Sequence, residues 1–521
     1  MTGTATPTAT ATGLVPTDVL TYHNDIERTG QNLTERILTT SNVNATTFGK
    51  LFEIAVTGKV DAQTLVKTQV SIPGQGIHNV LYVVTEHDLV YAFDADSGSQ
   101  LWMKSVVGAG EVPSDNRGCG QVTPEIGITS TPVIDMNAGP NGTIYVVAMS
   151  KVSSTSTYFH RIHALDITTG AEEFGGPVTI TATFPPAPAF DPAQYKDRAS
   201  LLLVNGEVIT TWASHCDNPS YTGWIIAYGV SSNTLTQTSV LNITPNGSEG
   251  AIWQAGAGPA SDGSGNIYFL DGNGTFDTTL TAQGFPIDGD FGNGFIRLST
   301  SSGLQVADYF EPFNTINESN GDTDLGSGGA LVLPDMKDIG GTTRQLVVGA
   351  GKDTNIYLAD RGNMGKFNTK TADNSNLYQE LAGALPSGEW AMPAYFNGTL
   401  YYGGVGAPLQ AFAFSKAMLV SPASSSTAKS YDYPGTTPSV SANNTSNGIV
   451  WAVEAAGTSG TIPGVLHAYN AGNLGIELYN SNTATMSRDH FTDNKFITPT
   501  IANGKVYVGT PSSVAVFGLL P

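Results

Sequence analysis

Basic side chains are scarce in this sequence: 23 Lys and Arg stand against 44 Asp and Glu, a formal net charge of −21, and no stretch gathers the cations into a patch. A nucleic acid is therefore not an expected partner. Long hydrophobic runs are missing too, and without 18 consecutive apolar residues no membrane-spanning helix is expected. A sustained 3.6-residue apolar period is nearly absent, while 60 Gly and 28 Pro punctuate the chain. Together these exclude a helical bundle and point to an all-β fold.

Cysteine is limited to Cys119 and Cys216, too few for a disulfide scaffold. They form either one bridge, in an oxidising compartment, or two buried thiols. His215 and Cys216 are adjacent and point to opposite faces if they lie on a strand, which argues against a shared metal. No G-x-S-x-G, H-E-x-x-H or P-loop occurs. The opening "MTGTATPTATATG" has neither the basic nor the apolar region of an intact signal peptide. It reads as a flexible Thr/Ala-rich arm over residues 1–20, followed by a single domain over 21–521.

What is present is a repeat. "LVYAFDADSGSQLW" (89–102) is an alternating strand, an Asp-x-Asp-Ser-Gly turn and a second strand ending in Trp. Related hairpins recur, with second strands beginning near Leu81, Ile144, Val208, Ile267, Leu346, Leu400, Ile449 and Val506. Eight units of this length predict an eight-bladed β-propeller. The last unit stops after its third strand at Pro521, whereas "GKLFEIAVTG" near the N-terminus is a strand without a unit. The expectation is that this N-terminal strand completes the last blade and closes the ring.

The segments "VYAFDADSGSQLW" and "IHALDITTGAEEF" resemble the repeat of pyrroloquinoline quinone (PQQ) dehydrogenase-type propellers, with their Ala-x-Asp-x-x-Thr/Ser-Gly turn followed by Trp. From about Tyr22 to Pro521 the chain also resembles secreted bacterial proteins known only as PQQ-like. The resemblance implies an eight-bladed propeller with an axial funnel. It also implies, for the enzymes, a Ca²⁺ ion polarising the quinone, a carboxylate base and an Arg on the quinone oxygens. Departures are visible: the pattern degenerates after the second unit, no adjacent Cys-Cys pair exists, and no C-x-x-C-H haem signature occurs.

Loops leading into the innermost strands of a propeller converge at one end of the axis. The polar and aromatic groups there are Asp61, Glu125, Arg198, Trp253, Asp324, Glu389, Trp390 and His490. Glu125 and Asp324 are the candidates for base, with Glu125 also a metal ligand; Arg198, Trp253, Trp390 and His490 are the candidates for holding the cofactor. A second candidate Ca²⁺ site is "DGNGTFD", with Asp271, Asn273 and Asp277 at alternating oxygen-bearing positions, although an ordinary Asx turn needs the same residues. Sequons at Asn32, Asn44, Asn141, Asn242, Asn273 and Asn397 fit an extracellular glycoprotein, secreted or periplasmic.

Two functions follow. The leading one is a binding or scaffold module of an extracellular assembly, with a protein or glycan partner or self-association, favoured by the degenerate motifs. The alternative is a PQQ- and Ca²⁺-dependent dehydrogenase of alcohols, aldehydes or sugars.

Overall fold

The computed structural model describes residues 16–218, 220–455 and 463–521, so residues 1–15 of the Thr/Ala-rich arm lie outside the described residues. The motif Asp explains how the hairpins of the first two repeats turn. Asp94 Oδ1 accepts the backbone N–H groups of Asp96 (3.1 Å) and Ser97 (2.7 Å), and Asp166 Oδ1 does the same for Thr168 (2.7 Å) and Thr169 (3.1 Å). The following Gly98 and Gly170 take φ values of +75° and +68°, where a side chain would be strained.

These hairpins build eight antiparallel sheets. Blade 1 comprises Leu65–Ile72, Gly76–Val84, Leu89–Asp94 and Gln100–Ser105; blade 2 is built on Val133–Asp135, Thr143–Val152 and Tyr158–Asp166. Blade 3 comprises Leu202–Val204, Glu207–Thr211, Trp224–Ser231 and Thr234–Asn242, and blade 4 starts with Ala260–Ser261, Asn266–Leu270 and Phe295–Ser299. Blades 5, 6 and 7 have their innermost strands at Leu331–Val332, Ala394–Phe396 and Ser439–Asn443. In blade 8, Thr500–Ala502, Lys505–Gly509 and Ser513–Leu519 are joined by Phe48–Ala55 from the N-terminal part of the chain. That pairing is antiparallel, from Phe48 opposite Leu519 to Ala55 opposite Ser513, so the expected closure is present.

Strand periodicity distributes the core between blades. In the strand Gly76–Val84, Leu81 and Val83 face the blade 8 side, while Val80, Tyr82 and Val84 pack with Ile144 and Val146 of blade 2. The same division recurs around the ring and gives one buried cluster per blade–blade seam, including the closing seam where Ile54, Val514 and Val516 meet Leu81 and Tyr91. An aromatic from an outer strand covers the turn glycine of the next blade twice. Trp102 lies over Gly170, 2.8 Å from where a Cβ would stand, and donates Nε1–H to the Ile167 carbonyl at 3.0 Å. At the closing seam Phe52 takes that place over Gly98.

Residues 17–34 run around the axis and hydrogen-bond to every blade in turn. Val19 exchanges bonds with Val66 of blade 1, and the carbonyls of Leu20, Ile26, Glu27, Thr29 and Gly30 accept N–H groups of Ile134, Ser261, Val332, Tyr395 and Val440 in blades 2, 4, 5, 6 and 7. Side chains complete the circuit: Arg28 Nη2 donates to the Leu201 carbonyl leading into blade 3 (3.0 Å), and Asn32 Nδ2 to Ile501 of blade 8 (3.0 Å). Ordered structure thus begins before residue 21, because an inner strand edge left dry and unpaired costs more than ordering this segment. We call this segment the girdle.

Candidate functional site

Above the girdle the axis holds a cavity of about 220 Å³, and its lining is basic and aromatic. Lys59, Lys196, Arg198, Lys352 and Lys495 all reach it, five of the 23 basic residues of a chain whose net charge is −21. Asp61, Asp217, Asp322 and Asp324 are the acids among the lining residues.

Arg198 follows the two-residue strand Tyr195–Lys196, which pairs with Ala213–Ser214 in a small two-stranded sheet that follows the second strand of blade 3. Its Nη2 donates to the Ala255 carbonyl (3.2 Å) and its guanidinium stands 5.6 Å from the Phe496 ring centre. Gly256, with φ +92°, lies against it, and any Cβ there would overlap the guanidinium. Lys59 pairs with Asp61 at 3.0 Å. Burial alone would raise Asp61, but Lys59 and Arg198 outweigh it and hold the carboxyl at about 2. Behind it Glu86 is pushed to about 8 by burial and by Asp61.

On the opposite wall Lys352 Nζ lies 2.5 Å from Asp322 Oδ1 and 2.6 Å from Asp324 Oδ1. Asn273 Nδ2 also donates to Asp322 (2.9 Å). Asp324 is buried, which raises its carboxyl despite Lys352, and its Oδ2 has no hydrogen-bond partner among the described residues. Gly272 separates Asp324 from Trp253, its Cβ position being 3.4 Å from Asp324 Oδ2 and 3.7 Å from Trp253 Nε1. Trp390, Tyr433 and Phe496 form an arc of edge-to-face rings with centres 6.3 and 5.8 Å apart, and Lys352 Nζ is 5.9 Å from the Trp390 ring.

Of the residues singled out from sequence, Asp61, Arg198, Trp253, Asn273, Asp324 and Trp390 line this cavity. The rest sit elsewhere. Glu125 pairs with His87 Nδ1 at 2.8 Å, outside the lining. His490 is also outside it, and its carbonyl accepts from Lys50. Glu389 is fully buried outside this lining, and burial pushes its carboxyl to about 8 against the lowering effect of a backbone hydrogen bond from Ala391. Asp271 accepts the amides of Asn293 (3.1 Å) and Gly294 (2.9 Å), whereas Asp277 accepts those of Thr279 (2.8 Å) and Ile287 (3.1 Å). Both carboxylates are thus engaged by backbone amides, Asp271 across to the segment that leads into the third strand of blade 4, and among the described residues no three His, Cys, Asp or Glu side chains converge on a metal position.

Sequence reading missed Lys59, Lys196, Lys352, Lys495, Asp217, Tyr433 and Phe496. In an antiparallel blade the connection between the second and third strands returns to the same end as the loop leading into the first. Asp217, Asn273 and Lys352 all lie in such connections, a positional signal the sequence carried. Cys119 and Cys216 are bridged, tying the loop that carries Gln121 and Val122 to the one that carries Ser214 and Asp217 at the cavity wall. Three sequons are engaged in the fold: Asn32 and Asn242 are buried, and Asn273 lines the cavity.

No family profile matches the sequence, and no curated protein matches it significantly. Solved structures do match. The quinohemoprotein alcohol dehydrogenase of Comamonas testosteroni superposes with a TM-score of 0.61 at 15% identity, over 96% of this chain and 80% of that one. The quinohemoprotein alcohol dehydrogenase ADHIIG of Pseudomonas putida HK5 gives 0.61 at 14% identity, over 97% and 80%. A europium-containing methanol dehydrogenase gives 0.58 at 12% identity, over 97% and 98%. The chain thus has the eight-bladed propeller fold that quinoprotein alcohol and methanol dehydrogenases also have.

Proposed function

We propose that the protein is a quinoprotein-type dehydrogenase whose axial cavity binds PQQ, a planar trianion, and oxidises a small alcohol. The observation that carries this reading is the convergence of five basic side chains and an aromatic arc on the axis of a strongly acidic protein. A buried trianion needs cations around it, and Arg198, Lys59 and Lys495 on one side with Lys352 on the other supply them. Trp253 and Trp390 offer flat faces to a planar ring system. A divalent ion fits less well: Lys352 Nζ already occupies the space between Asp322 and Asp324.

Bound quinone would supply a two-electron acceptor. Asp324 would be the group that takes the hydroxyl proton of an alcohol: its Oδ2 has no hydrogen-bond partner among the described residues, and its raised carboxyl makes it a stronger base than an exposed aspartate. Lys352 steadies the carboxylate through Oδ1. The Cys119–Cys216 bridge supports an oxidising, extracellular or periplasmic setting.

Titration with PQQ, with and without Ca²⁺, tests the reading by absorbance and thermal shift, followed by dye reduction with alcohols, aldehydes and sugars. A saturable shift is expected, weakened at least about tenfold in Arg198→Ala and Lys352→Ala, the scale of losing one charged hydrogen-bond partner. Absence of any shift would overturn it. Binding without turnover would instead favour the binding-module function.

A further inference from the structure

We propose that Lys196 captures carbonyl compounds covalently, forming an imine with a small anionic aldehyde or 2-oxo acid that enters the axial cavity. The inference does not rest on quinone binding. Lys196 lines the cavity yet is only 4% exposed, and among the described residues its Nζ makes a single hydrogen bond, 2.8 Å to Gln121 Oε1. Lys59 and Lys352 are each ion-paired with aspartate, but among the described residues no carboxylate lies within ion-pair distance of Lys196. A desolvated lysine beside another cation is the environment that turns an ammonium into a nucleophilic amine.

The charged groups around it are Arg198 two residues along, Asp61 and Glu86 from blade 1, and His215 and Asp217 from the bridged loop. Burial and Arg198 outweigh the acids and bring the amine down to about 8. Its neutral fraction at pH 7 is then about two hundredfold larger than that of an ordinary lysine. Asp197, between the two basic residues, turns away and accepts from Ser130 Oγ at 2.6 Å, so it leaves Lys196 unpaired.

In the reaction the neutral amine attacks the carbonyl carbon, the carbonyl π pair moves to oxygen, and that oxygen takes a proton. The carbinolamine loses water and leaves C=N, with no net redox change. Arg198, Lys59 and Lys495 provide the positive surroundings that select an anionic carbonyl compound.

The test is labelling of the full chain with 4-formylbenzoate in cyanoborohydride, which delivers hydride to the imine carbon, followed by peptide mapping. One adduct on Lys196 is expected, formed at least about tenfold faster than on any exposed lysine, given its larger neutral fraction. Benzaldehyde should label it more slowly, and benzoate should protect it. Lys196→Arg should lose the adduct; Arg198→Gln should move the labelling profile to higher pH. Adducts spread over other lysines with Lys196 unmodified overturn the proposal, and this map on the unaltered protein decides even if a variant fails to fold. Equal rates for the charged and neutral aldehydes would overturn the anionic substrate class. Failure of PQQ to bind would leave the labelling result unchanged, so the two readings fail separately.

Discussion

Arg28 offers a direct test of whether the girdle holds the ring together. It is fully buried, and its guanidinium donates to four oxygens: Pro259 O (2.9 Å), Thr21 Oγ1 (2.7 Å), Tyr22 O (2.8 Å) and Leu201 O (3.0 Å). Two of those carbonyls belong to the segments leading into blades 3 and 4, so one side chain joins the girdle to two blades. Arg28→Leu keeps much of the volume but leaves three backbone carbonyls without a donor, at about 1–3 kcal/mol each. With partial relaxation the loss is about 3–6 kcal/mol. For 521 residues melting as one unit the unfolding entropy is about 1.1 kcal/mol/K, so Tm should fall by about 3–6 °C. Arg28→Lys should fall in between, since an ammonium cannot reproduce the planar fork. Differential scanning calorimetry of both variants, with exposed Arg36→Ala as control, reads the effect. If Arg28→Leu melts within about 1 °C of the unaltered protein, as a surface substitution would, the girdle is decoration and the reasoning is wrong.

Three further outcomes are expected. Reducing the Cys119–Cys216 bridge, which spans 97 residues of sequence, should cost up to about 4.7 kcal/mol in the chain-entropy picture. Hydrogen exchange should then rise in the two bridged loops; unchanged melting and exchange after reduction would refute the prediction. Phe52→Ala should lower stability by about 1–2 kcal/mol, below the range for a fully buried Phe because the ring is partly exposed, and Trp102→Ala by more. Denaturant titration of both variants checks the order. Glu389, raised by burial to about 8, holds its proton in the folded state long after the unfolded chain has released it near the ordinary value of about 4.5. Folded protein therefore binds more protons between these limits, and stability falls as pH rises from about 4.5 to 8. Glu389→Gln should melt like the unaltered protein at pH 4.5 and above it at pH 8; the opposite ordering at pH 8 would show the carboxyl is not held neutral.

By itself the sequence determined what a local period can encode. Alternation in stretches such as Val80–Val84 marked the strands, Asp94 with Gly98 and Asp166 with Gly170 marked the turns, and an eighth unit lacking its outer strand assigned Phe48–Ala55 to the closing seam. Those features depend on neighbours a few residues apart, or on a count, and both are visible in a string. The girdle was not visible, because residues 17–34 have no period: successive backbone and side-chain groups answer to different blades, from Val66 to Ile501. The basic cavity was half visible. Arg198 and Asp324 stand in the loops leading into the innermost strands, but Lys59 and Lys495 are at opposite ends of the chain and become neighbours only when blade 8 meets blade 1. The same closure and packing decided which candidates face the cavity, pairing Glu125 with His87 outside it and giving Asp271 the amides of Asn293 and Gly294 and Asp277 those of Thr279 and Ile287. Spacing fixes which face of a strand a side chain takes; only the closed ring brings eight separate loop ends to one axis.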